Sequence, residues 1–195
     1  IGYWNQVVRA KLGLNWVKAQ VRWRDFEPVA GAYARDKFAL LDLFVDDAND
    51  RGLNILLSVV DAPFGLRSAF DPAHPERLGP PDDTGEAVRF FSLLGLRYRG
   101  CAQAIEVWNE SNLAREWTTP RTLGMGRPDA AEFGLFLGSI GPALKAIDPG
   151  LIVISGGLSP TGMNSAESRD DIAYLGELAA AGGLNAVDCV GAHLN

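Results

Sequence analysis

Two hydrophobic periods take turns along this chain, and their alternation limits the possible folds more than any other feature. In NWVKAQVRW (15–23), Val17, Ala19 and Val21 fall on one face and Lys18, Gln20 and Arg22 on the other, the period-two pattern of a strand. RDKFALLDLFVDDANDRG (35–52) then carries apolar residues at helical spacing and closes on glycine, a favoured helix stop. NILLSVV (54–60) is strand-like again and ends at Asp61-Ala62-Pro63. The exchange continues with a Pro-rich loop over 64–83, a helix over 84–99, a strand over 103–110 and a loop over 111–128. A helix over 129–147, the strand LIVIS, a helix over 170–182 opened by an Asp pair and a last strand, AVDCVGAH (186–193), complete the series. Ahead of them, YWNQVVRAKL (3–12) reads as a helix stopping at Gly13.

Strands separated by helices imply βαβ units and a parallel sheet, hence an α/β fold. Five strands fit either a doubly wound sheet or part of a (β/α)8 TIM barrel. No turn carries the G-x-G-x-x-G fingerprint of a dinucleotide site, which counts against the doubly wound sheet. The polar face of Lys18, Gln20 and Arg22 also argues for the barrel, because parallel strands are usually apolar on both sides. A barrel interior accepts such residues when they pair. Glu106 has the parity of Trp108 and Glu110 and is placed to meet Lys18 or Arg22, offsetting the cost of burying each charge alone.

Composition narrows the function. The 195 residues are 47% hydrophobic, enough for a substantial core, and a net charge of −6 is spread along the chain, so nucleic acid is not an expected partner. Apolar runs such as Ile55–Leu57 and Val107–Trp108 are too short to span a bilayer, and no signal peptide is visible. Two distant cysteines, Cys101 and Cys189, support neither a disulfide framework nor a thiolate zinc site; both are expected as buried or half-buried free thiols. No metal-ligand cluster stands out, so neither metal nor cofactor is expected. The chain opens on Ile1 rather than Met and stops at VGAHLN, and reads as a segment of a longer protein.

In a parallel barrel the active site lies at the C-terminal strand ends. Those ends supply Arg22, Trp23, Asp25 and Glu27; Asp61; Trp108, Asn109 and Glu110; Ser155; and His193 and Asn195, whereas the opposite ends (Asn15, Asn54, Gln103, Gly150, Asn185) are ordinary turn residues. Carboxylates, amides and aromatic rings suit a carbohydrate site, where a glycosidase needs two carboxylates about the scissile bond. Burial beside Trp108 would help Glu110 keep a proton. Each residue has a plainer reading: Glu110 as a solvated loop charge, Arg22 as an ion-pair partner of Glu106, Asp25, Glu27 and Asp61 as turn residues, and His193 as a structural histidine. Trp117 stacks on a sugar or caps its loop, while Trp23 and Trp108 pack. Asn109-Glu110-Ser111 matches the N-glycosylation pattern, but a strand end inside a pocket is a poor acceptor.

The stretch IEVWNESN (105–112) resembles the Asn-Glu element at the end of the fourth strand in clan A glycoside hydrolases. VRWRDFEPVAGAY (21–33) is similar to their second-strand run, LNILLSVVDAP (53–63) to their third strand, and VDCVGAHLN (187–195) to their sixth. The likeness covers nearly the whole chain and is nearest to the β-xylosidase, iduronidase and exopolysaccharide-hydrolase group, with cellulase-like members next. It implies that residues 1–195 are a partial TIM-barrel catalytic domain holding strands 2 to 6, the first, seventh and eighth being absent. It also implies a retaining hydrolase of β-linked oligo- or polysaccharides, with Glu110 as general acid/base, Asn109 on the sugar 2-hydroxyl, Arg22 orienting the nucleophile and His193 lining the site. Asp61 and Trp117 are further candidates for substrate binding. The nucleophile, a glutamate ending the seventh strand, lies beyond this chain, and Asn195 replaces a frequent tyrosine. Polysaccharide cleavage suits an extracellular setting, although cysteine usage leaves the compartment open. A different class of reading is a non-catalytic glycan-binding or scaffold segment. A third, a five-stranded domain binding a phosphorylated ligand, rests on SGGLS (155–159) alone.

Overall fold

The computed structural model describes residues 2–194. Four parallel strands, β1 (Trp16–Arg22), β2 (Asn54–Val60), β3 (Ala104–Val107) and β4 (Ile152–Ser155), lie side by side in chain order. Strand order in a doubly wound sheet reverses at a switch point. A sheet that never reverses is the wall of a (β/α)8 barrel, as the sequence leads one to expect. The helices are α1 (Gly2–Gln6), α2 (Trp23–Phe26), α3 (Arg35–Asp50), α4 (Thr84–Arg97), α5 (Pro120–Met125), α6 (Ala130–Ile147) and α7 (Asp171–Ala180). Asp83, Asp129 and Asp170 cap α4, α6 and α7 by accepting backbone N–H bonds, so short acidic side chains set where each helix starts.

The register fixes which residues share a face. Gln20 pairs with Ser58, Ser58 with Glu106 and Glu106 with Ile154. Lys18, Gln20 and Arg22 therefore share the inner face with Leu56, Ser58, Val60, Glu106 and Ile154. The alternate set, Val21, Ile55, Leu57, Val59, Ile105, Val107 and Val153, is buried against the helices with Phe38, Phe90, Leu94, Phe133, Leu137 and Tyr174. By length and composition α6 alone among the described helices could cross a membrane. Its Phe133, Leu137, Ile140 and Leu144 instead fill the core, and it packs against α4, α7 and β4.

Several expectations are adjusted. The first helix is two elements, α1 and a π-helical turn over Val7–Lys11. The strand expected over 103–110 ends at Val107, and the loop expected over 111–128 contains α5, opened by a Thr119–Thr122 capping box. The last expected strand follows the edge of β4 through isolated bridges, Ile154 to Cys189 and Leu158 to Ala192, without a continuous ladder. Cys101 and Cys189 are free but exposed rather than buried.

Candidate active site

Backbone geometry marks the strand ends. Among the described residues three non-glycines take left-handed conformations, Asp61 (φ 61°), Trp108 (φ 75°) and Glu110 (φ 42°), each within three residues of the end of β2 or β3. Such conformations are disfavoured for bulky side chains and gather where function holds them. At Trp108 the consequence is a correction. The strand parity shared with Glu106 stops at Val107, and the indole turns into the helix layer, with ring centroids 5.4 Å from Trp117 and 5.8 Å from Phe136. Its Nε1–H donates to the Glu116 carbonyl (2.8 Å), closing the loop that carries Glu110.

Glu110 is 8% exposed. Its backbone N–H donates to the Gly157 carbonyl (2.9 Å), which ties it to the end of β4. Oε1 lies 2.9 Å from Nδ1 of His193, and Oε2 faces the Arg115 guanidinium at 3.5 Å. Glu116 is close by and half-buried. Burial pushes its carboxyl above the usual range, the Asn109 amide pulls it back by hydrogen bonding, and the charge of Glu110 pushes it up again. Asn109, Glu110 and His193 thus meet in one place, joined by Arg115 and Glu116, which the sequence reading overlooked.

Gly157 lies at the junction. Its N–H donates to Oε1 of Glu106 (3.2 Å), whose Oε2 is 2.5 Å from the Lys18 ammonium. A Cβ on Gly157 would lie 2.6 Å from Nε2 of His193, and one on Gly156 would lie 2.8 Å from the carbonyl carbon of Trp108. The glycines of SGGLS thus serve close approach of the β4 end to the site residues, which accounts for that run without a phosphate.

The remaining candidates separate from this group. Arg22 pairs with Asp61 (3.4 Å) rather than with Glu106, and Asp61, with no exposed surface, also receives Arg24 (2.8 Å) and faces Arg67 at 3.8 Å. Burial pushes the Asp61 carboxyl up while the three guanidiniums pull it down. Asp61 therefore holds arginines in place and offers no surface to a substrate. Trp117 is 1% exposed, packs edge-on against Trp108, Phe133 and Phe136, and donates Nε1–H to Glu132 (3.0 Å). Of its two expected roles, stacking on a sugar or capping its loop, the first is closed to a ring with no face exposed. Glu27, fully buried, accepts from Trp23 Nε1 (2.7 Å) and from the Gly31 N–H (2.5 Å) and pairs with Arg89 (2.5 Å), so the W…EP..G run is a structural turn. Asn195 lies outside the described residues. Among the described residues no three His, Cys, Asp or Glu side chains gather to hold a metal ion.

The arrangement is thus a nearly enclosed carboxyl group held by an imidazole on one oxygen and facing a largely exposed guanidinium with the other. No protein-family model matches the chain, and no curated protein sequence does. Solved structures resemble it in fold. A family 39 glycoside hydrolase from Bacteroides cellulosilyticus WH2 superposes with a TM-score of 0.69 at 18% identity, over 98% of this chain and 35% of its own. Endo-glycoceramidase II from Rhodococcus sp. gives 0.60 at 15% identity over 88% of this chain and 48% of its own. Endoglucanase Cel5A from Thermotoga maritima gives 0.56 at 14% identity over 88% and 50%. The chain spans between a third and a half of these structures, and its fold is that of part of a (β/α)8 barrel.

Proposed function

We propose that residues 1–195 are the central part of a (β/α)8 catalytic domain that hydrolyses β-linked glycans with retention, Glu110 acting as general acid/base. The observation that carries this reading is the placement of Glu110. It is a nearly buried carboxyl group at the C-terminal end of β3, on a left-handed backbone, with His193 on one oxygen and Arg115 beside the other. Proteins of like fold that hydrolyse glycosides support it, as does the Asn109-Glu110 pair.

In the first step a carboxylate outside this segment attacks the anomeric carbon, the glycosidic bond breaks, and the Glu110 proton passes to the departing oxygen. In the second, Glu110 takes a proton from water, whose oxygen attacks the anomeric carbon and releases the enzyme carboxylate. His193 fixes the carboxyl through Oε1, leaving Oε2 to face the leaving group. Arg22, steadied by Asp61, is on the inner face, where it can orient the nucleophile; Asn109, on the same loop as Glu110, is within reach of the sugar.

The test is Glu110→Gln in the full-length protein. Turnover of glycosides with poor leaving groups should nearly vanish. Azide should restore turnover of activated aryl glycosides with a glycosyl azide product. Unchanged turnover in the variant would overturn the assignment. A full-length protein that binds glycans but lacks a seventh-strand carboxylate would be the binding or scaffold protein instead. Purified residues 1–195 should hydrolyse nothing by themselves.

A further inference from the structure

A groove of about 360 Å³ lies between the loop after β3 and the loop after β4, and Arg115 links it to Glu110. Two observations separate it from the other surface hollows. Its walls are fastened to each other by Asn112, which has no exposed surface. The Asn112 side-chain amide donates to the carbonyls of Ser159 (2.8 Å) and Arg169 (2.9 Å) and accepts from the Ser159 N–H (3.0 Å). The Ala114 N–H adds a bond to the Glu167 carbonyl (2.9 Å). The groove is therefore formed before any ligand arrives, as small-molecule sites usually are. The second observation is Arg115, which lines the groove and also reaches Glu110. Both of its ion contacts are long, 3.5 Å to Glu110 and 3.5 Å to Glu116, and its side chain is 63% exposed.

We propose that this groove binds the leaving-group side of the glycan, the sugar unit beyond the bond that is cut, and that Arg115 is its specificity-determining residue. The inference rests on Glu110 being the acid/base. A proton donor must lie within hydrogen-bond reach of the glycosidic oxygen, so the departing sugar has to sit on the Glu110 side of the bond. This groove has a wall residue in contact with Glu110. Arg115 presents a planar fork of N–H donors, suited to neighbouring sugar hydroxyls. Met163 and Leu113 supply apolar surface for a sugar face, and Ser159 and Thr161 polar edges. When a sugar fills the groove, the guanidinium exchanges its long contact with Glu110 for the sugar hydroxyls.

Two measurements on the full-length protein test this. The first reads binding without turnover. The segment has two methionines, Met163 on the groove and Met125 on α5, outside it. In the isotope-labelled Glu110→Gln variant, titration with cellobiose, xylobiose and mannobiose in turn should move the Met163 methyl resonance saturably for at least one of them and leave Met125 in place. A Met163 resonance unmoved by all three overturns the proposal.

The second compares kcat/KM on a β-linked oligosaccharide with kcat/KM on the matching glycosyl fluoride, whose leaving group is too small to use the groove. Ser159→Tyr, which fills the groove, and Arg115→Met should each lower the ratio of the two at least about tenfold, the scale of lost pocket contacts. A ratio unchanged in both variants overturns the proposal, whether or not overall activity falls, because general damage lowers both rates together. If the wild-type protein turns over neither substrate, the hydrolase reading fails and the leaving-group role with it, while the methyl titration still reports whether the groove holds a sugar.

Discussion

At Gly157 the backbone has carboxylates on either side and a histidine ring against it. Its N–H serves Glu106, its carbonyl receives the N–H of Glu110, and the His193 ring lies where a side chain would stand. The backbone there is not left-handed, so the demand for glycine is purely one of space. Gly157→Ala should therefore push the imidazole off Glu110 and cost about 1–3 kcal/mol, as overpacking does. Urea unfolding measures that cost, and turnover by the full-length protein should fall because Glu110 has lost the imidazole that holds Oε1. Unchanged turnover would show that the proposed acid/base does not need His193 to position it. Trp108 gives a second test. Trp108→Phe keeps the aromatic packing but removes the N–H that satisfies the half-buried Glu116 carbonyl, and should cost about 1 kcal/mol in urea unfolding, the scale of one lost hydrogen bond. Little of this was legible beforehand. The residue types at the strand end gave Asn109 and Glu110, but left-handed backbone at Trp108 leaves no mark in a hydrophobic pattern, and strand parity therefore aimed the indole the wrong way.

Elements were easier to read than their edges. The periods of β1, β2, α3 and α6 follow from which side chains face the helices, a property that each segment carries by itself. The 186–193 run is different. Its approach to β4 depends on glycines in two distant segments, since a Cβ on Gly191 would lie 2.8 Å from Cα of Gly157, and so its broken ladder is a tertiary outcome. The contact between α3 and α4 is similarly invisible in either helix alone. Asp42 on α3 receives Arg97 through Nε (2.9 Å) and Nη2 (2.5 Å) and the Tyr98 hydroxyl (2.9 Å). The Arg97 hydrogen bonds are the main reason that the Asp42 carboxyl is held below its ordinary value of 3.8; partial burial opposes them and the Tyr98 hydroxyl adds to them. A depressed carboxyl contributes stability above the unfolded-state value and loses it as pH falls through the lower folded value. Asp42→Asn should thus cost about 1 kcal/mol at neutral pH, a figure limited by solvent around this partly exposed pair, and progressively less below the ordinary carboxylate range. Urea midpoints of both proteins across acid pH would check it; a cost that stays constant would mean that packing rather than charge joins the two helices.

For the molecule as a whole, the decisive feature is a sheet whose inner face is polar along the first strand, carries a serine between two apolar residues on the second and a carboxylate on the third. That polarity was legible, and it led to the Lys18–Glu106 pair, because a charge inside a barrel needs an opposite one at the same level. The arginine cluster on Asp61 was not, since Arg24 sits on the single turn of α2 and Arg67 on the loop after β2, neither long enough to carry a period. The two members of the Lys18–Glu106 pair differ in environment: the Lys18 side chain is 40% exposed and that of Glu106 5%. Removing the partner of a buried charge costs more than removing the partner of one that water can reach. Lys18→Met leaves Glu106 buried with the Gly157 N–H as its remaining partner, and should cost about 3 kcal/mol. Glu106→Gln leaves the ammonium free to hydrate and still offers an acceptor to Gly157, so it should cost about 1 kcal/mol. Denaturant unfolding of both variants in the full-length protein measures the order. If Glu106→Gln proved the costlier change, the carboxylate would have a second partner in the complete barrel, and the inner face would be held by a wider charge network than this pair.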